Sequence, residues 1–332
     1  MTHGPLIDTH QHPIPEHYKA ALASIGIHGS GENKWADWSL SAQLELMDQT
    51  GIAAAVNSIA SPGVYFGDVD FAVRLARACN EDCARTIADH PHRFGAFAIL
   101  PLPDVGAAAA EAEYALDTLK LEGVCLLSHV GTRHLGQADE DELYAELDRR
   151  AAVVFVHPLR NQAQNMPAYG YPSGMTELVL DTTRALHNLL WNGIFGKYPN
   201  IRWIMPHGGG TVPFLLYRMS AMDNNPRVAE HLPGGSVASA LRGLYYDVAE
   251  ICAPGPLKCL MEIADPSRVT FGSDFPFSRH RAPAQDVKSL IAAFTGFDGW
   301  DAATRRGIES DNALKLFPRL AQAIARNGGL RA

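Results

Sequence analysis

Short apolar runs alternate with longer amphipathic stretches along the whole chain. The runs are nearly continuous in Val, Ile, Ala and Phe, which is typical of parallel strands that helices cover on both faces. Eight runs predict strands, and these are Leu6–Asp8, Ala53–Ser58, Phe94–Leu100, Gly123–Leu127, Val153–Val156, Arg202–Met205, Leu244–Val248 and Val269–Phe271.

The stretches between the strands have helical spacing. They predict helices at Ser39–Thr50, Asp68–His90, Val105–Leu119, Asp139–Arg150, Thr176–Lys197, Thr211–Asn224, Pro254–Ile263, Ala284–Phe294 and Asp301–Phe317. The alternation predicts an α/β protein that forms a closed, distorted (β/α)8 TIM barrel. An open doubly wound sheet is disfavoured, because no Gly-x-Gly-x-x-Gly motif follows the first strand.

No linker, repeat or low-complexity tract divides the chain, so we expect a single domain over residues 1–332. Two connections between a strand and the next helix are long. One is an insertion at about 13–38, and the other spans 159–174. Both should lie at the C-terminal face of the barrel, where barrel enzymes build their sites.

Composition narrows the class of protein further. The chain is 47% hydrophobic and 19% charged with a net charge of −8, which excludes a dedicated nucleic-acid or anionic-membrane surface. No apolar run is long enough to span a membrane, and no signal peptide is visible. The five cysteines are scattered and odd in number, which indicates reduced thiols and a cytoplasmic location.

Histidines and an aspartate follow four of the predicted strands. His10 and His12 follow the first strand, His157 the fifth, His207 the sixth and Asp274 the eighth. Each residue alone also fits a plain role as a strand cap or turn residue. In a closed barrel, however, all these strand ends surround one mouth. Converging imidazole and carboxylate groups are typical ligands of Zn²⁺ or Mn²⁺, so the five together indicate a metal site.

Four motifs contain these residues: Asp8-Thr-His-Gln-His12, Val156-His-Pro158, Pro206-His-Gly-Gly-Gly210 and Phe271-Gly-Ser-Asp-Phe-Pro276. They resemble the motifs of the amidohydrolase superfamily, specifically its decarboxylase branch typified by aminocarboxymuconate-semialdehyde decarboxylase. Within that branch the chain is most similar to 6-methylsalicylate-decarboxylase-like proteins. The resemblance covers essentially the whole chain.

The resemblance implies that His10, His12, His157 and Asp274 bind one divalent ion, with Zn²⁺ as the first choice and Mn²⁺ as the alternative. His207 is then an acid/base residue beside the ion. Binuclear relatives carry a carboxylated lysine at the end of strand 4, and this chain has none there, which favours a single ion.

The implied reaction is non-oxidative decarboxylation of a small aromatic or conjugated carboxylic acid. Either Asp274 or His207 delivers the proton to carbon, and the residues leave both choices open. The candidates for binding the substrate carboxylate are Arg160 first, and then Arg184, Arg218 and Arg279. The candidates for the apolar wall are Trp38, Phe275 and Phe277. His129, near the end of strand 4, is interpreted as an exposed loop histidine rather than a substrate contact.

Two alternative functions use the same residues. A metal-dependent hydrolase or hydratase, acting on a lactone, ester, amide or conjugated acid, needs the same ligands, so the ligands do not separate it from a decarboxylase. A non-catalytic barrel that binds metal for stability is the other alternative. Since relatives are commonly dimers, the resemblance also implies a homodimer.

Overall fold

Eight parallel strands form the centre of the computed structural model, which describes residues 3–30, 33–159, 173–277 and 283–330. They are β1 (Leu6–Gln11), β2 (Ile52–Ser58), β3 (Phe94–Ile99), β4 (Gly123–Leu127), β5 (Val153–His157), β6 (Arg202–Met205), β7 (Tyr245–Asp247) and β8 (Val269–Thr270). Each of the eight predicted strands is present. The main difference is that β1 continues to Gln11, so His10 is part of the strand.

The strands pair in chain order from β1 to β8. Contacts between β1 and the segment after β8 then bring the sheet round on itself. The Thr9 amide donates to the Phe271 carbonyl oxygen at 2.9 Å, and the His12 amide donates to the Phe275 carbonyl oxygen at 2.7 Å. The predicted barrel is therefore confirmed as a nearly closed, parallel α/β barrel.

Helices surround the strands. They are α1 (Glu16–Ala23), α2 (Leu40–Thr50), α3 (Val69–Asp89), α4 (Val105–Glu113), α5 (Asp141–Arg149), α6 (Glu177–Trp191), α7 (Ile194–Lys197), α8 (Val212–Met219), α9 (Pro226–Ala229), α10 (Val237–Arg242), α11 (Pro254–Ile263), α12 (Pro283–Gly296), α13 (Ala302–Arg306), α14 (Asn312–Leu316) and α15 (Pro318–Arg326). The stretch predicted as one helix over 176–197 is two, because Gly193 adopts a left-handed φ of +70°. Within the described ranges, no helix has both the length and the apolar character needed to cross a membrane.

The insertion at 13–38 contains a helix that the sequence did not predict, α1. Tyr18 and Leu22 lie one helical turn apart and are both buried. They belong to a small core that includes Leu75 of α3. The Tyr18 hydroxyl also donates to the Gly63 carbonyl oxygen at 2.7 Å. This packing fixes α1 against the barrel wall.

Aromatic side chains fill the barrel interior. Phe97 of β3 and Phe155 of β5 stack with their ring centroids 5.3 Å apart, and Phe317 contacts Phe97 edge-on at 5.7 Å. Alternate residues of a strand share a face, so His157 lies on the same face as Phe155, further along β5. The interior is therefore a packed apolar floor beneath the strand ends.

No disulfide joins any of the five cysteines, all of which lie in the part of the chain that the structure describes. Cys79, Cys83 and Cys125 are buried. Burial raises the pKa of Cys83 to about 12, which keeps its thiol protonated and unreactive.

Glu122 is a half-buried carboxyl group directly before β4, at the N-terminal end of the barrel strands. Its Oε1 atom accepts a hydrogen bond from the Leu320 amide at 3.0 Å, which attaches α15 to the start of β4. Burial raises the pKa of Glu122 from 4.5 to about 7, although Arg319 and the Leu320 amide oppose the shift. The folded protein therefore holds a proton on Glu122 at pH values where the unfolded chain has released it.

We predict that Glu122→Gln changes how stability depends on pH. Relative to the variant, the wild-type free energy of unfolding should fall by about 3 kcal/mol between pH 4.5 and pH 7 and level off above pH 7, because ionisation is disfavoured only in the fold. Urea unfolding at several pH values measures this difference. Glu113→Gln, at an exposed position of α4, is the control and should give a constant difference. A constant difference for Glu122→Gln as well would contradict the prediction.

Candidate metal centre

Four side chains meet where β1, β5 and β8 end. Each of His10, His12, His157 and Asp274 offers one ligand atom, and these atoms all lie within 4.8 Å of one another. All four residues are buried. The structure thus brings together the residues that the resemblance implied as ligands, although they are far apart in the sequence.

The cluster fits a cation because four of its six ring nitrogen atoms lack hydrogen-bond partners. Nε2 of His10 and Nε2 of His12 lie 3.4 and 3.1 Å from Oδ1 of Asp274. Neither nitrogen makes a hydrogen bond, and neither ring nitrogen of His157 does. Buried polar atoms are normally paired, so this group of unpaired atoms is the arrangement expected of a metal site. Three imidazoles and one carboxylate suit Zn²⁺ or Mn²⁺.

Two of the three imidazoles are oriented through their second nitrogen. Nδ1 of His10 lies 2.8 Å from Oδ2 of Asp247, and Nδ1 of His12 lies 3.0 Å from the Ser58 carbonyl oxygen. A proton on each Nδ1 atom directs the lone pair of Nε2 into the cluster. Asp247 itself is fixed by the amides of His207 and Ala249, at 2.9 and 3.0 Å.

The sequence analysis missed Asp247. One signal was available, since it is an acidic side chain at the C-terminal end of an otherwise apolar strand. Burying a carboxylate in that position costs free energy unless a hydrogen-bond donor or a positive charge pairs with it.

The charges of the cluster shift the pKa of each member. Burial lowers the pKa of His10, but the carboxylates of Asp247 and Asp274 outweigh burial and raise it to about 10. Burial lowers the pKa values of His12 and His157. Burial alone would raise the pKa of Asp274, yet the charge of His10 and the close approach of the His10, His12 and His207 ring nitrogens hold it well below its usual range. A proton and a metal ion therefore compete for Nε2 of His10.

His207 stands beside the cluster, on the side away from His12. Its Nε2 atom lies 3.5 Å from Oδ2 of Asp274, whereas Nε2 of His10 and Nε2 of His12 approach Oδ1. His207 adopts a left-handed φ of +53° at the start of the Gly208–Gly210 turn. The turn requires glycine, because a Cβ atom at Gly210 would lie 2.4 Å from the Val179 carbonyl oxygen. Close packing of this turn against α6 fixes where His207 emerges.

Asp8 ties the ligands of β1 to the ligand after β8. Its Oδ1 atom accepts hydrogen bonds from the amides of His10 and Ser273, at 3.1 and 3.0 Å. Its Oδ2 atom accepts a hydrogen bond from the Gln11 amide group at 2.7 Å. Burial raises the pKa of Asp8 to about 6. One carboxyl group thus sets the spacing between His10 and the segment that carries Asp274.

The predicted substrate-binding residues have different outcomes. Arg160 lies outside the described residues, as does Arg279. The Trp38 indole N–H donates to Gln43 Oε1 at 3.3 Å, and the Gln43 amide group donates to Oε1 of Gln11 at the end of β1 at 2.6 Å. The Phe275 side chain is buried in the main hydrophobic core. The ring of Phe277, by contrast, is 5.4 Å from the ring of His12.

The interpretation of His129 as an exposed loop residue is wrong. Its side chain is buried, and its Nδ1 atom lies 3.1 Å from Oδ2 of Asp181. The burial results from a short hairpin, His129–Val130 with Arg133–His134, that folds over the end of β4. Of the other arginines named above, Arg184 lies 3.7 Å from Glu177 and Arg218 is exposed.

Comparison with known proteins agrees with the geometry of the site. A curated relative, the 6-methylsalicylic acid decarboxylase of Penicillium expansum, is 36% identical over 324 residues, which cover 95% of this chain and 96% of the relative. A solved structure described as amidohydrolase II is 28% identical and superposes with a TM-score of 0.86, covering 94% of this chain and 99% of the other.

A second solved structure shows the same fold with a metal ion. It is the 5-carboxyvanillate decarboxylase of Novosphingobium aromaticivorans, complexed with manganese and a nitrobenzoic acid. It is 22% identical with a TM-score of 0.80, and covers 95% of this chain and 96% of the other. The family model for amidohydrolases matches residues 7–319, which include the four clustered side chains and His207. The chain is a member of the amidohydrolase family.

Proposed function

We propose that this protein is a metal-dependent decarboxylase that removes CO2, without oxidation, from a small aromatic or conjugated carboxylic acid. The observation that carries the proposal is the buried cluster of His10, His12, His157 and Asp274, whose unpaired atoms converge at the mouth of the barrel. The full-length similarity to a 6-methylsalicylic acid decarboxylase supports this reaction over the others that an amidohydrolase site can carry out.

We propose that these four residues hold one Zn²⁺ ion, with Mn²⁺ as the alternative. The three imidazoles favour Zn²⁺, while the manganese in a related fold supports the alternative. When bound, the ion orients the carboxylate and a neighbouring hydroxyl of the acid and withdraws electron density from them. A single ion is consistent with β4, where no lysine is present between Gly123 and Leu127.

The proton for the reaction is assigned to the pair Asp274 and His207. The ring carbon that bears the carboxylate first gains a proton, which avoids a high-energy carbanion; the bond to the carboxylate carbon then breaks, and its electron pair returns to the ring as CO2 leaves. Oδ2 of Asp274 and Nε2 of His207 lie 3.5 Å apart at the edge of the cluster, and either group is proposed to deliver this proton. The Asp247 carboxylate supports this role because it fixes the backbone of His207.

The substrate contacts complete the proposal. Arg160 follows β5 by three residues and is proposed to bind the carboxylate of the acid. Trp38 and Phe275 are proposed for the apolar side of the pocket, and the position of Phe277 next to His12 adds a third aromatic residue to them. The proposed site is concave and lies at the mouth of the barrel. A small aromatic acid is therefore proposed as the substrate, rather than a nucleic acid or a membrane.

The active unit is proposed to be a homodimer of single-domain chains spanning residues 1–332. The outer face of α8 supports a dimer, because Phe214 and Tyr217 are 83% and 91% exposed there. Large exposed aromatic residues on one helix face are typical of a protein interface. The five scattered cysteines, none of which forms a disulfide in the described residues, support a proposed reducing, cytoplasmic location.

We predict release of CO2 from acids that carry a hydroxyl next to the carboxylate. Purified protein should convert 6-methylsalicylic or salicylic acid to the corresponding phenol and CO2, whereas 4-hydroxybenzoic acid, which lacks the adjacent hydroxyl, should react far more slowly. Chromatography of the aromatic product and capture of CO2 measure both outcomes. If no acid loses CO2 while a lactone or ester is hydrolysed, the site performs the alternative chemistry and the decarboxylase proposal is wrong.

Two histidine variants separate metal binding from proton delivery. His10→Ala should lose both the bound metal and the activity while its secondary structure remains. His207→Ala should retain the metal but lose about 10²–10⁴-fold in kcat, because it removes only the proton-holding group. Elemental analysis and steady-state kinetics on both variants measure this. Loss of metal in His207→Ala would make His207 a ligand instead.

The dimer is predicted to depend on the outer face of α8. The double variant Phe214→Ser and Tyr217→Ser should shift the mass measured by light scattering from two chains to one, because it removes the exposed apolar surface. Ile25→Ser is the control and should leave the mass unchanged. Ile25 is also an exposed apolar residue, but it is far from α8 in the sequence. A monomeric wild type would contradict the proposed dimer.

A further inference from the structure

A second group of polar side chains is buried close to the metal cluster. Asp181 of α6 is completely buried, and its carboxylate is surrounded by donors. His134 Nε2 lies 2.8 Å from Oδ1, while His129 Nδ1 and the Leu159 amide each lie 3.1 Å from Oδ2. The Ser128 hydroxyl also donates to Oδ2. Burial opposes ionisation of Asp181, but these hydrogen bonds hold its pKa well below its usual range.

The residue types in this group are those of a metal site, but the contacts are those of a hydrogen-bond network. The ligand atoms of His129, His134 and Asp181 lie within 4.8 Å of one another, as they do in the metal cluster. Here, however, both carboxylate oxygens accept hydrogen bonds from histidine nitrogens. In the metal cluster the corresponding nitrogens have no such partner. The coordinating atoms near Asp181 are already in use, so the network needs no ion.

The network holds the backbone around one ligand of the metal cluster. The Leu159 amide donates to Ser128 Oγ at 3.0 Å as well as to Asp181. The Ser128 amide in turn donates to the His157 carbonyl oxygen at 2.8 Å. The segment from His157 to Leu159 is therefore attached to the end of β4 and to α6 by three hydrogen bonds.

His157 needs this support more than the other two histidines of the cluster. A histidine that binds a metal is normally oriented by a hydrogen bond to its second ring nitrogen. His10 has Asp247 and His12 has the Ser58 carbonyl for this purpose. Neither ring nitrogen of His157 has a hydrogen-bond partner. The direction of its ring must therefore come from the backbone that carries it.

We propose that Asp181 is a positioning residue for the metal centre. With Ser128, His129 and His134, it anchors the backbone from His157 to Leu159, and so it directs the His157 imidazole toward the other three ligands. This inference rests on the proposed metal-binding function of the four-residue cluster. According to this inference, part of the affinity for the metal comes from Asp181, a buried helix residue outside the cluster.

The test compares Asp181 with a matched buried residue, which supports a strand that carries no proposed metal ligand. Asn80 of α3 is equally buried, and its amide group donates to and accepts from the backbone of Ile99 at 3.0 and 2.9 Å. It thus anchors the end of β3 as Asp181 anchors the end of β5. Asn80→Ala and Asp181→Ala should both lower the Tm of the metal-free protein, because each leaves buried backbone groups unpaired.

Only the Asp181 variants should weaken metal binding. Zn²⁺ affinity is measured by competition between metal-free protein and a chromogenic chelator. Asp181→Ala should bind Zn²⁺ about 10- to 100-fold more weakly than wild type, and Asn80→Ala should match wild type. Asp181→Asn keeps the shape of the side chain but replaces one of its two acceptor oxygens with an NH2 group that faces a donor, so it should fold and still lose affinity. The visible spectrum of Co²⁺-loaded Asp181→Asn should differ from that of wild type, since it reports the geometry of the ligands.

Three results would overturn the inference. Wild-type affinity and an unchanged Co²⁺ spectrum in both Asp181 variants would limit the network to a structural role. Binding of two Zn²⁺ ions per wild-type chain and one per Asp181→Ala chain would make the network a second metal site. A wild type that binds no Zn²⁺, Mn²⁺ or Co²⁺ would refute the proposed function itself, and this result is visible before any variant is made.

Discussion

The contact between Asp274 and the imidazoles of β1 is the interaction on which the structure depends. It lies where the last strand of the barrel meets the first. The contacts that close the sheet therefore also assemble the site. Asp8 reinforces this junction through the Ser273 amide. Gly272 permits it, because a Cβ atom there would lie 2.9 Å from Cβ of His10. A chain that failed to close its barrel would have no complete cluster.

The cluster is costly for the fold because it gathers unpaired polar groups in a buried place. The surrounding structure offsets this cost by fixing each ligand separately. Asp247 holds His10, the Ser58 carbonyl holds His12, and the segment carrying His157 is held through its backbone. Binding of a metal ion would satisfy the remaining atoms, so metal affinity and stability of the barrel mouth should rise together.

Much of the fold and part of the site were predictable from the sequence, because both have local signatures. Apolar runs identified all eight strands, and polar residues directly after those runs identified the members of the cluster. Asp247 was missed because it lies within the predicted strand Leu244–Val248, whereas the search for site residues considered those that follow a strand. The network around Asp181 was also missed. Its members come from the end of β4, a two-strand hairpin and the middle of α6, and no spacing in the sequence relates these places.

The predicted helix boundaries were wrong where tertiary packing determines them. The stretch 176–197 has one continuous helical pattern, yet Gly193 breaks it, and the neighbouring His231 leaves no space for a side chain there. The helix α1 was not predicted because only two of its residues are buried, and their partners on α3 are distant in the sequence. These errors concern the periphery of the barrel and do not move the residues of the site.

Titration of metal-free protein with Zn²⁺, while CO2 release from 6-methylsalicylic acid is measured, tests the central claim most directly. The account predicts no release without metal, a linear rise on addition of Zn²⁺, and a plateau at one equivalent per chain. Full release from metal-free protein, or a plateau at two equivalents, would contradict it.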